Sequence, residues 1–386
     1  MVWRNSFAFE LSDEEKFAVE TANAFATKEV APLAAKIDQE HYFPRELLPK
    51  MGALGLMGAI VPEQYGGAGL STLAYALIVE ELSAACASTG IIVSAHTSLC
   101  ISPILHFGTD EQKQKFLPRL ASGEALGCFA LSEPSTGSDA ASITTMFRKE
   151  GDEYILNGTK NWITNGPEAG VCVVFATQDQ SKGHKGISAF VHDMNLPGVS
   201  CGKREDKMGI RGSPTSSISY DNVRLPADSM LYDENRGFTV AMHTLNGGRI
   251  GVAAQAVGIA RAAFDDSFAY SQERKAFGKM VCEHQSIQNY FADMVCRIDS
   301  SRYLTLDAAK RKDRDESYVR QAAMAKLYAS ETAMFCAVKG IQIHGGYGYV
   351  TDYPAERHLR DAKITEIYEG TSEIQRILIA SQLLKE

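Results

Sequence analysis

From Ser12 to about Val30 apolar residues recur at helical intervals, behind a Ser12–Glu15 pair at capping-box spacing, and this predicts an amphipathic helix. Pro32 and Pro44 punctuate the next stretch. "PRELLPKMGALGLMGA" (44–59) reads as a further helix and "VPEQYGGAGL" (61–70) as a loop. From Ser71 to about Leu105 the chain is Ala-rich and apolar, the pattern of a buried helix pair, and "TDEQKQKFLPRLASG" (109–123) adds a short capped helix. Near Leu126 the texture changes. Through about Gly237, β-branched runs alternate with turn signals: "EYILNGTK", "NWITNG", "VCVVFATQ", "GISAFVHD" and "SSISYDNVRLP". The Asn157–Gly158 pair and the alternation in "SISYDNVRL" indicate antiparallel strands. No helical pattern separates them, which disfavours a doubly wound parallel sheet.

From Gly237 the helical period returns and persists. Helices are expected over about 237–273, 285–312, 317–343, 354–362 and 372–384, lengths that suit an up-and-down bundle. The reading is therefore an α+β multidomain chain: a helical domain over 1–126, a β domain over 127–236 and a helical bundle over 237–386.

Composition narrows the field. With 386 residues, 45% hydrophobic and 22% charged, the chain has an ordinary globular make-up and the length of two or three domains. No apolar run is read as approaching the roughly 20 residues of a membrane span, so no integral membrane association is expected. The start, "MVWRNSFAFELSDEEKF", has neither the apolar core of a secretory signal nor an Arg/Ser-rich, acid-poor transit character. A bacterial cytoplasm fits, as does a processed mitochondrial matrix protein. The net charge is −8, with no basic block beyond "KRKDR" (310–314), which argues against nucleic acid as a partner. Eight scattered cysteines contain no CxxC. Cys282-x-His284 and His96-x3-Cys100 each lack the second pair a metal site needs, so a reducing compartment and no metal are expected.

The chemistry lies in loops. "GGAGL" (66–70) and "GGYGYV" (345–350) are not GxGxxG, and there is no P-loop, GxSxG or HExxH. "FALSEPSTGSDAAS" (129–142) offers hydroxyls and backbone N–H donors of the kind a flavin edge or pyrophosphate needs. "KNWITNG" (160–166) sets Trp162 beside Thr164, and "ERKAFGK" (273–279) sets Arg274 and Phe277 just after a long helix. In "EIYEGTSEIQ" (366–375), Glu369 sits between an aromatic residue and a glycine on a connection between two helices. Taken singly, each is a polar loop, Trp162 reads as core more readily than as a cofactor platform, and Glu369 as a solvated carboxylate.

Together they carry more. "LSEPSTGSD", "KNWITNG", "KMGIRGS", "GGRIGVAAQAVGIA", "ERKAFGK", "QIHGGYGY" and "RDAKITEIYEGTSEIQR" stand in the order and spacing of the acyl-CoA dehydrogenase family. The chain resembles that family over essentially its full length, and within it the short-chain (butyryl-CoA) group most. The resemblance implies an N-terminal helical domain, a central antiparallel β-barrel-like domain and a C-terminal four-helix bundle, assembled as a homotetramer. It implies FAD between the β domain and the bundle, an acyl-CoA substrate and an electron-transferring flavoprotein as acceptor. Glu369 maps to the base that removes the α-proton of the thioester while the β-hydride passes to flavin N5. Its backbone N–H maps to an oxyanion donor.

Phe129, Leu131, Ser132, Gly137 and Ser138 map to FAD contacts on the first loop, and Trp162 and Thr164 to contacts on the second. Arg274, Phe277 and Gln285 map to the pyrophosphate and adenosine, Gln342, Gly345 and Gly346 to the same end from a partner subunit. Thr371 and Glu373 map to residues closing the site. Ser138, Asn246, Arg249 and Gly370 map to thioester and CoA contacts.

Several local features refine this reading. A carboxylate near its usual pKa is too weak a base for an unactivated C–H, so burial of Glu369 is expected. The Ser372–Gln375 spacing suggests a capping box whose helix N-terminus pulls the other way by about 0.3–1 kcal/mol. Isovaleryl and long-chain relatives carry their base immediately before the arginine matching Arg249. Here that position is Gly248. Asn246 stands where the short-chain group commonly has Asp. The stretch 90–100 should floor the acyl pocket, and no arginine lies between Gly90 and His106 to meet a second carboxylate. His96 is expected to be a satisfied polar residue off the pocket, the other reading being a marker of a polar or cyclic acyl group. Branched, alicyclic or dicarboxylic substrates, an oxygen-using oxidase and a catalytically silent flavin-binding scaffold are the alternatives.

Overall fold

A computed structural model of the chain describes residues 11–385. Helix α1 (Asp13–Phe25) starts at the expected capping box. Ser12 Oγ accepts from the Glu15 N–H at 3.1 Å, and Glu15 Oε2 accepts from the Ser12 N–H at 2.9 Å. The run to Val30 is helical throughout but loosens to a π-helical turn from Ala26. After α2 (Ala34–Gln39), the stretch 44–59 is helical only over α3 (Leu47–Ala53). Gly55 then takes φ +73°, which reverses the chain, and turns replace the continuous helix expected there.

Next come α4 (Thr72–Ala85), α5 (Ala87–Ala95), α6 (Ser102–Phe107) and α7 (Asp110–Ala121). A π-helical turn, His96–Ile101, joins α5 to α6. The resulting helix, Ala87–Phe107, has 21 residues and is long and apolar enough to cross a membrane. This corrects the expectation that no run approached that length. Most of the helix is buried in the interior, where an all-round apolar surface is covered by other elements.

The strands are β1 (Gly127–Ala130), β2 (Met146–Glu150), β3 (Glu153–Thr164), β4 (Val171–Thr177), β5 (Ile187–Asp193), β6 (Val199–Cys201), β7 (Thr215–Pro226) and β8 (Met230–Leu231). They form one sheet in the order β6-β7-β3-β2-β4-β5-β8, with β1 also on β4. Most pairs are antiparallel as expected, but β1 and β2 run parallel to β4, so the sheet is mixed. Asn157–Gly158 is not at a turn. It makes an irregularity inside β3, where a Cβ on Gly158 would lie 2.6 Å from Thr145 Oγ1.

The remaining helices are α8 (Gly237–Glu273), α9 (Gln285–Asp313), α10 (Val319–His344), α11 (Ala355–Ile364) and α12 (Ser372–Leu383), with a small β9–β10 hairpin (Lys275–Ala276, Lys279–Met280) after α8. All five helices fall within two residues of the expected bounds. Helix α8 has 37 residues and runs about 55 Å. Its Gly- and Ala-rich stretch from Gly247 to Ala263 is wholly buried, because small side chains let α4, α5 and α10 approach closely. Arg261 on α8 pairs with Glu80 and Glu81 of α4, and Arg302 of α9 reaches Glu80 at 2.9 Å. The N-terminal end of α8 meets β5. One helix thus touches all three parts of the chain.

Candidate active site

Glu369 lies on the turn between α11 and α12. Its backbone takes φ +52° and that of Gly370 φ +98°, so two successive residues sit in the left-handed region. For a glutamate this is strained, and such strain is held only where the surroundings fix it. The turn aims the carboxylate at α8. A Cβ built on Gly248 would fall on Glu369 Oε2 and lie 3.0 Å from Leu99 Cδ2. The glycine is what leaves room for the carboxylate.

Oε2 is out of solvent and has no hydrogen-bond partner among the described residues. Burial raises the carboxyl pKa to about 7, against the opposing pull of Lys326 and then Arg249. The net shift is upward, opposite to the pull expected of the N-terminus of α12.

That N-terminus is built differently from the expected box. Thr371, not Ser372, is the cap, its Oγ1 accepting from the Ile374 N–H at 3.4 Å. Ser372 N–H donates to Glu366 O at 2.9 Å. Gln375 is buried, and its Nε2 donates to Gly370 O at 2.8 Å and to Glu369 O at 3.4 Å. The one-residue slip frees Gln375 to tie down the turn.

Arg249 is buried on α8. Its Nη1 donates to Asn246 Oδ1, while its Nε is without a partner among the described residues. Tyr368 donates from its hydroxyl to Gln255 Oε1, which anchors the turn to the next part of α8. Glu369, Gly370, Gly248, Arg249 and Asn246 are therefore gathered at one place.

The two loops of the β domain are also brought together. Lys160 and Glu133 form an ion pair at 2.7 Å with no side-chain exposure, and Lys160 Nζ donates to Leu131 O at 3.2 Å. The Asn161 N–H donates to Ser132 O at 2.8 Å. Glu133 also accepts from Thr144 and Thr145, and with the Lys160 charge these hold its pKa down at about 2 against burial. Above this frame Trp162 takes φ +61° at a register shift in β3, leaving its ring 60% exposed, with Thr164 half-buried beside it. Phe129 on β1 is half-buried, Leu131 is buried, and Gly137 and Ser138 are exposed.

The other expected cofactor residues are elsewhere. Arg274, Phe277, Gln285, Gln342, Gly345 and Gly346 are all exposed, at the C-terminal ends of α8 and α10 and the start of α9. Tyr270 stacks on His344 at 4.3 Å and the Arg274 guanidinium lies 5.6 Å from the Tyr347 ring centre, so the ends of α8 and α10 form one patch. From Gly248 to Glu273 α8 rises by roughly 38 Å, which separates this patch from Glu369. Thr371 is spent as a cap and Glu373 is exposed.

His96 is fully buried. Its Nδ1 accepts from the Gly127 N–H at 2.9 Å and its Nε2 donates to Leu120 O at 3.1 Å, and burial lowers its pKa to about 4. It is a satisfied neutral residue, with no group left for a ligand. Among the described residues no group of three or more His, Cys, Asp or Glu could hold a metal ion.

Sequence reasoning missed Lys326, Lys160 and Glu133. The available signal was a lysine inside an apolar pattern: Lys326 stands among the buried Ala322, Ala323, Ala325 and Ala329 of α10.

Comparison with known proteins gives the family. Residues 12–124, 128–223 and 235–384 match the N-terminal, middle and C-terminal domains of acyl-CoA dehydrogenase. The chain is 52% identical to the mitochondrial short-chain specific acyl-CoA dehydrogenase of Homo sapiens, over 97% of this chain and 91% of that one. It is 48% identical to the short-chain specific acyl-CoA dehydrogenase of Clostridium acetobutylicum, over 98% and 100%. Among solved structures, butyryl-CoA dehydrogenase from Megasphaera elsdenii superposes with a TM-score of 0.96 at 45% identity, covering 98% of this chain and all of the other. A chain solved in work on the electron transferring flavoprotein of Acidaminococcus fermentans superposes with a TM-score of 0.97 at 47% identity, with the same coverage. A buried, unpartnered glutamate facing a glycine of the central helix thus stands in a chain that belongs to the acyl-CoA dehydrogenase family, the FAD-dependent oxidoreductases of acyl-CoA thioesters.

Proposed function

We propose that the chain dehydrogenates a short-chain acyl-CoA at its α,β-carbons, with Glu369 as the base. The observation that carries this reading is the buried Oε2 of Glu369, raised in pKa and left without a partner over Gly248. A carboxylate with a lone pair free of any donor in an apolar site is ready to accept a proton. Its own backbone N–H has no acceptor among the described residues, which suits it to receive the thioester oxygen as negative charge develops there.

The residues fit FAD. Bare aromatic faces at Trp162 and at Phe277, 98% exposed, offer stacking surfaces. A Cβ at Gly137, Gly345 or Gly346 would meet nothing within 4 Å, so the backbone there is open to a close approach. Bound FAD supplies the hydride acceptor, at flavin N5. We assign its ring end to Phe129, Leu131, Ser132, Gly137, Ser138, Trp162 and Thr164, with Thr371 and Glu373 at the closing edge. The span along α8 is longer than an extended FAD. We therefore assign Arg274, Phe277 and Gln285, together with Gln342, Gly345 and Gly346, to the cofactor of a neighbouring subunit. With the whole patch in trans, the site needs a partner subunit, which is compatible with the proposed homotetramer. Ser138, Asn246, Arg249 and Gly370 are assigned to the thioester and CoA.

The acyl pocket is short. One helical turn beyond Gly248, a Cβ on Gly251 would lie 2.5 Å from the Tyr75 hydroxyl and fall on Ser94 Oγ. Tyr75 is locked there by Ser94 O and Oγ at 3.2 and 3.1 Å. Leu99, Tyr75 and Ser94 carry no cation for a second carboxylate. An electron-transferring flavoprotein is the proposed acceptor, supported by the likeness to the chain from the Acidaminococcus fermentans work. The division at 1–126, 127–236 and 237–386 is proposed with this reading.

The test is an anaerobic titration of the flavin-loaded protein with butyryl-CoA. Bleaching of the oxidised flavin band, abolished by Glu369→Gln, is the expected result. Bleaching that persists in Glu369→Gln would overturn the base, and bleaching only with longer, branched or dicarboxylic thioesters would overturn the chain length.

A further inference from the structure

Lys326 projects from a face of α10 lined by buried alanines and Ser330, and it is entirely out of solvent. Its Nζ donates to Gly370 O at 2.7 Å, the carbonyl that also accepts from Gln375 Nε2 at 2.8 Å. Gln375 alone would satisfy that carbonyl. What Lys326 adds is a charge. Burying an ammonium costs several kcal/mol unless an anion offsets it.

The charged groups around Lys326 are Glu369 on the turn, Glu366 just before it, Glu373 on α12 and Arg249 on α8. Glu366 accepts from Lys363 at 2.6 Å, Glu373 is exposed, and Arg249 is engaged with Asn246. Glu369 alone is a carboxylate with a buried, unpartnered oxygen. It faces Lys326 from α10, Arg249 from α8 and the hydroxyl of Tyr75 from α4, with Tyr368 adjacent in the chain.

We propose that Lys326 is the positioning residue of the proton-abstracting site: it clamps the Gly370 carbonyl, which fixes the left-handed turn, and its charge keeps Glu369 ionisable within a buried pocket. The inference rests on the reading of Glu369 as the base. Without Lys326 burial would act on the carboxylate opposed by Arg249 alone, and its titration would move to higher pH. The hydrogen-bond role and the charge role are separable, since a neutral polar side chain keeps only the first.

The experiment is a pH titration of the flavin-loaded protein by difference infrared spectroscopy, following the carboxyl band that Glu369→Gln removes, alongside the pH profile of kcat. Lys326→Met and Lys326→Gln should raise both midpoints by about one pH unit or more, with kcat at neutral pH falling about fivefold or more. Lys326→Arg should leave the midpoints near the wild-type value. If Lys326→Met does not fold, Lys326→Gln decides the matter. Midpoints unchanged in the neutral variants, with activity merely lower, would overturn the charge role. Turnover retained in Glu369→Gln would instead overturn the base itself, whatever Lys326 does.

Discussion

Glu369 titrates near neutrality, and both activity and stability should follow. As the proposed base Glu369 acts only when ionised, so turnover should climb as pH rises through about 7. Stability runs the other way. The carboxyl pKa is raised in the folded protein, so the folded state binds the extra proton, and stability falls as pH rises from the unfolded value near 4.5 through 7. Glu369→Gln removes that penalty. It should be more stable than wild type by on the order of 3 kcal/mol at pH 8 and nearly equal to it at pH 4, a difference urea unfolding of the flavin-loaded protein would show. Glu369 itself was visible through the motif around it. Lys326 was not, because a lysine in an Ala-rich helix reads as a surface residue until the packing of α10 is known. The cap slipped from Ser372 to Thr371 because both are good capping residues, and only the Gly370 turn decides which oxygen meets an amide.

Elements of regular period were the most legible. Helices α8, α9 and α10 matched because their apolar faces run uninterrupted for many turns. The stretch 44–59 did not, since Gly52 and Gly55 remove helix propensity and permit reversal. Parallel pairing of β1 with β4 left no mark in local alternation, since a strand's partner is a long-range matter. Nor did the Lys160–Glu133 pair, although it ties the Ser132 loop to the Trp162 strand. Lys160→Met should strand Glu133 as an unpaired buried charge and cost about 3–5 kcal/mol. Chemical unfolding measures this. Flavin retention on dilution should fall with it, since the two loops proposed to hold the cofactor lose their common anchor.

At the scale of the whole molecule, the order helical part, sheet, bundle was readable from texture alone. The chemistry was not, because it depends on distant segments converging on α8. Tyr75 of α4 and Ser94 of α5 close the space beyond Gly248; Ser94 lies in the stretch 90–100 expected to floor the pocket, but no motif announces Tyr75. Replacing Tyr75 with the smaller Leu should deepen it. The ratio of kcat/KM for hexanoyl-CoA over butyryl-CoA should then rise by about tenfold, a gain of the size that one or two methylenes bring in an apolar pocket. An unchanged ratio would place the floor elsewhere.

The length of α8 has a genetic consequence. If Glu369 serves its own subunit and Arg274 serves the neighbour, the two defects are separable in a mixed population. Glu369→Gln subunits and Arg274→Ala subunits, each poorly active alone, should complement when coexpressed. In a hybrid dimer the first lends its arginine to the intact glutamate of the second, so random pairing restores about a quarter of the sites. Activity no greater than the sum of the two parents would put both residues in one and the same site.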